Sequence, residues 1–65
     1  MEYYIEAIRA AAEAASPRDL KPALDFIRGL ATEEYRAGAL DVSELGVILE
    51  EYDFALRGAG AVNYQ

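Results

Sequence analysis

Almost all the side chains here that could do chemistry are carboxylates. Twelve acidic residues stand against six basic ones, and there is no histidine and no cysteine. The commonest general base, metal ligand and thiolate nucleophile are therefore missing. The acids are densest at Glu33 and Glu34, and again at Glu50, Glu51 and Asp53. On a helix Glu50 and Asp53 share a face at i,i+3, a spacing that could share a proton or hold a cation. No imidazole or basic group is predictably near, so a solvated helix face is the expected state of both clusters. A carboxylate-bridged iron site needs Glu-x-x-His on facing helices, which this composition cannot supply. The sequence points to no catalytic residue, no cofactor and no metal site.

A calcium loop is the next candidate. With Gly38 as its central glycine, Leu40 falls on the apolar position and Glu44 on the last, bidentate position of an EF-hand. The front half fails, because Tyr35 and Ala37 occupy ligand positions without a carboxylate. The match reads as helix-capping chemistry instead. The same segment, Ala39-Leu40-Asp41-Val42-Ser43-Glu44-Leu45 followed by Leu49-Glu50-Glu51, resembles the opening of the second helix of acyl carrier proteins. That likeness covers a small part of the chain, and Ala39 stands where the family carries its modified serine. It implies no prosthetic group.

Tyrosines are the remaining signal, since five in so short a chain without tryptophan supply large contact area with a polar end. Tyr4 and Tyr52 fall on core positions. Tyr3, Tyr35 and Tyr64, with the acids Glu50, Glu51 and Asp53, are the candidate partner-binding residues.

Three helices are needed to position these groups. Residues 2–15 form the first, with Glu2, Glu6, Arg9 and Glu13 outward and Tyr4, Ile5, Ile8, Ala11, Ala12 and Ala15 inward. Its alanine-rich second half should lie tight against a neighbour. Ser16-Pro17-Arg18-Asp19 ends that helix and opens another, but Pro22 argues for a distinct first turn or a later start. The second helix is expected over 19–37, continuous through Gly29 and Thr32. Its stripe is Leu20, Ala23, Leu24, Ile27, Leu30 and Ala31, widened by Phe26. Gly38 closes it. Asp41 and Glu44 cap the third helix, 42–57, whose stripe is Val42, Leu45, Ile48, Leu49, Tyr52 and Leu56. Phe54 is counted with the core, Gly58 is placed as the stop, and residues 59–65 read as a flexible tail. The expected architecture is all-α, a small three-helix bundle in one domain, 1–58.

A 65-residue chain buries only about 60% of its unfolded surface, so a partner or a second copy is expected to complete it. Much of the apolar content is alanine, enough for a thin bundle and for no pocket of enzymatic size. The net charge of −6 argues against nucleic acid and anionic membranes as direct ligands. Neither a membrane span nor a signal peptide is legible, and the lack of cysteine suits the cytoplasm. Five arginines to one lysine, with abundant alanine, fit a GC-rich bacterial or phage genome. The functional expectation is a non-enzymatic protein-protein interaction module, a homo-oligomer or small adaptor with an apolar helix face rimmed by acids. The alternative is an acidic inhibitor or nucleic-acid mimic, phage- or antitoxin-like, that occupies the basic site of a nucleic-acid-binding protein.

Overall fold

The computed structural model describes the backbone of residues 2–64 and the side chains of residues 2–58. The chain folds into three helices, α1 (Glu2–Ala14), α2 (Pro17–Arg36) and α3 (Val42–Tyr64), in a bundle measuring 40 × 17 × 15 Å. Short connections make each helix antiparallel to the next, so α1 and α3 run in the same direction on either side of α2. Among the described residues no helix is long and apolar enough to cross a membrane.

Each helix end has a local cause. Ser16 is extended (φ −67°, ψ 158°), as a residue before proline prefers. Its hydroxyl accepts the Asp19 amide at 3.3 Å, and Pro17 takes the first helical position, where its missing N–H costs nothing. The helix thus starts at Pro17 and not near residue 19. It tolerates Pro22 because the carbonyl that loses its partner is that of Arg18. Both residues are exposed, and water can serve that carbonyl in the first turn.

α2 passes through Gly29 and Thr32 unbroken. Thr32 Oγ1 donates to the Arg28 carbonyl at 2.8 Å, which satisfies the hydroxyl within the helix. At its end Gly38 adopts φ +85°. The Gly38 amide bonds the Tyr35 carbonyl (3.1 Å) and the Ala39 amide bonds that of Glu34 (2.8 Å), the paired bonds of a Schellman cap. Asp41 and Glu44 then exchange side-chain-to-amide bonds of 2.8 and 3.0 Å. The capping box seen in the sequence is therefore formed.

α3 does not stop at Gly58. That glycine lacks the positive φ a helix-closing glycine needs, and the helix runs on to Tyr64. The flexibility expected of residues 59–65 and the place of the Tyr64 side chain lie outside the described side chains.

The core is narrow. Tyr4, Ile8, Leu20, Leu24, Ala31, Leu40, Ile48 and Tyr52 are buried, with Ile5, Ala11, Ile27, Leu45 and Leu56 packed against them. Several residues assigned inward from the sequence face water instead: Phe26 is 69% exposed, Val42 69% and Phe54 77%, with Leu30 and Leu49 about two-fifths exposed. Each helix here touches only two neighbours, and the surface those cover is narrower than the apolar residues would fill. Phe26 and Phe54 stand two positions from the buried Leu24 and Tyr52, which turns them away from the buried stripe.

Candidate docking groove between α1 and α3

The second half of α1 carries alanines where it runs beside α3. Ala11 and Ala15 pack against the core, as the spacing predicts. Ala12 does not close the gap, because a methyl group is too short to reach α3. The result is an open groove of about 830 Å³, larger than the composition suggests. Ile8 and Leu20 line its floor and Ala12 one side. Val47 and Phe54, two turns apart on α3, form the other side. Val47 is 39% exposed, so with Phe54 this is apolar surface that the fold leaves uncovered.

The rim is ionic. Arg9 reaches across from α1 to Glu51 on α3, with Nη2 and Oε1 2.8 Å apart. The carboxylate beside it holds the guanidinium even more firmly protonated than usual. Glu13 and Glu50 also line the groove, and among the described residues neither makes an ion pair. Three carboxylates around one guanidinium leave the rim negative.

The other flank of α3 is tied to α2 at Tyr52, beside a smaller open hollow lined by Gly29, Leu45 and Leu49. The Tyr52 hydroxyl donates to Asp25, Lys21 pairs with the same carboxylate at 2.8 Å, and the Arg28 guanidinium sits 5.1 Å from the centre of the Tyr52 ring. The hydrogen bond from Lys21, then that from Tyr52, holds the Asp25 carboxyl below its usual range. Acceptance by Asp25 and burial push the Tyr52 phenol up. At the end of the bundle where α1 begins and α2 ends, the Tyr4 hydroxyl donates to Glu34. Burial, then that carboxylate, raises the Tyr4 phenol well above the ordinary tyrosine range.

The candidate residues read from the sequence separate in space. Glu50 and Glu51 are in the groove. Asp53 is not among its lining residues and pairs with Arg57 at 3.0 Å on α3 itself. Tyr3, 61% exposed, leans on the Tyr4 ring with centroids 4.6 Å apart. It lies with the exposed Tyr35 at the end of the bundle marked by the Tyr4–Glu34 bond, away from Phe54. The sequence reading missed Phe54, Val47 and Ala12 as groove residues. Their signal was present, because Val47, Glu50, Glu51 and Phe54 share one helix face adjacent to the core stripe.

Among the described residues no three carboxylates converge as a metal cluster, and Asp41 and Glu44 are engaged in their capping box. No family model, no curated protein and no solved structure matches the chain. The likeness of residues 39–51 to an acyl carrier helix therefore has no support beyond that segment.

Proposed function

We propose that this protein is a non-enzymatic interaction module that binds another polypeptide in the α1/α3 groove. The observation that carries this reading is Phe54, a large aromatic 77% exposed on the wall of a concave apolar surface. Interfaces are anchored by such residues when an opposing chain removes them from water. The acids of the rim exclude wrong partners and orient the right one. Among the described residues that line the groove no pair is arranged as a nucleophile with its base, and binding rather than turnover is proposed. The imitation of nucleic acid is the weaker reading. Five carboxylates are matched by neighbouring bases, and two more serve the α3 cap.

The test selects helix-forming peptides against the immobilised protein and maps them by amide NMR shifts. Selected peptides are expected to shift Ile8, Ala12, Val47 and Phe54. The Phe54→Ala variant should weaken them at least ten-fold, the size of an anchor residue's loss, without lowering the melting temperature. Ligands that map elsewhere, or that bind Phe54→Ala equally well, would overturn the proposal.

A further inference from the structure

We infer that the occupant of the groove is a cationic amphipathic helix of another protein, its apolar face on Val47 and Phe54 and its lysines or arginines opposite Glu13 and Glu50. This rests on the docking reading above and adds the chemistry of the partner. The first argument is shape. Val47 and Phe54 are seven residues apart on α3, hence about 10 Å along the helix axis, and Ala12 opposite leaves room between the helices. A helix laid along the groove meets both with apolar side chains at i and i+7, the repeat by which helices dock into grooves.

The second argument is charge. Among the described residues the only cation lining the groove, Arg9, is already held by Glu51. Glu13 and Glu50 have no ion-pair partner among the described residues, and a docked chain would strip water from them. A neutral helix would leave those carboxylates dehydrated and unmatched, whereas a basic flank pairs them. A second copy fits less well. A two-fold interface on this groove would bring Glu13 and Glu50 of both copies together, between chains that each carry a net charge of −6. The same sign repels phosphate-rich ligands and anionic lipid surfaces.

Three helix-forming peptides test this. They share leucines on one face and carry Lys, Gln or Glu at every other position. Binding to the full chain is read by fluorescence anisotropy at low and high salt, with NMR shifts to locate the site. The Lys peptide should bind at the groove roughly ten-fold tighter than the Gln peptide, the worth of two partly exposed ion pairs, and the Glu peptide weakest. High salt should shrink that advantage, and Glu13→Gln with Glu50→Gln should abolish it, because a neutral rim no longer favours lysine over glutamine. A Gln peptide that binds the groove as tightly as the Lys peptide overturns the cationic partner and leaves docking standing. A Lys preference that survives the double substitution, or shifts spread over the whole surface, also overturns it. A concentration-dependent dimer whose shifts fall on the groove makes a second copy the occupant and overturns it too. If no peptide of any charge reaches the groove, both this inference and the docking reading fall.

Discussion

Toward α2, helix α3 meets long polar side chains; toward α1 it meets alanines. On the first flank Lys21, Asp25 and Arg28 reach over Tyr52, so that a large aromatic becomes 8% exposed. On the second flank Ala12 faces Phe54, the Arg9–Glu51 pair is the one ion pair that crosses among the described residues, and an aromatic on the same helix remains 77% exposed. Side-chain length on the opposing helix thus decides whether an aromatic closes the fold or is left for a partner.

The strongest way to break the bundle acts beneath both flanks. Ile48 is fully buried, so Ile48→Ala should cost about 2–5 kcal/mol in urea unfolding, comparable to the whole stability of so small a domain. Phe54→Ala is expected to fall within about 0.5 kcal/mol of the parent, because the ring touches mostly water. A Phe54→Ala loss as large as that of Ile48→Ala would erase the distinction between the flanks.

Next in size are the tyrosine ties. Tyr52→Phe and Tyr4→Phe should each cost about 1 kcal/mol, since each removes a hydroxyl donor from a carboxylate, Asp25 keeping Lys21 in the first case. In Tyr52→Phe the Asp25 carboxyl should also move up toward its ordinary value of 3.8, measurable by carboxyl carbon shifts against pH.

The α2 flank should also respond to pH in a way the α1 flank does not. Asp25 is lowered in the folded chain. Its stabilisation is present above the ordinary carboxylate range and is lost as pH falls through the lowered value. Tyr4 and Tyr52 are raised. Their stabilisation is complete below the ordinary value of 10.0 and is lost as pH rises above it. Unfolding midpoints across pH should therefore fall at both extremes. Asp25→Asn should flatten the acid limb, and Tyr52→Phe should soften the alkaline one; unchanged limbs would mean that the Tyr52–Asp25 tie does not hold the flank.

The smallest effects belong to the groove. Ala12→Leu should cover Phe54 and raise stability by up to about 1 kcal/mol while blocking peptide binding. Such a gain on a surface helix would show that the groove is empty for want of side-chain length. Arg9→Ala should move the melting temperature least of all, because its pair with Glu51 is largely solvated.

The helix boundaries were most legible where they depend on neighbours within a few residues. Ser16 with Pro17, Gly38, and Asp41 with Glu44 all do in the fold what their types suggest. Pro22 and Gly58 were misread. Pro22 stands close to the helix start, where the carbonyl it frees belongs to an exposed residue, and Gly58 does not take the left-handed conformation that closes a helix. The core was half legible. Tyr4, Ile8, Leu24, Ile48 and Tyr52 are inside, but a period of 3.6 residues marks the centre of a buried stripe better than its edges.

By itself the sequence determined three helices, the caps at Ser16, Gly38 and Asp41, and the central line of the core, because hydrogen-bond capping and helical periodicity are properties of adjacent residues. Only the tertiary structure decided that Phe54 and Val47 stay exposed while Tyr52 is covered, and that Glu50 joins a groove while Asp53 does not. Those outcomes depend on what another helix presents across the gap, alanine from α1 and long polar side chains from α2. No spacing within α3 contains that information.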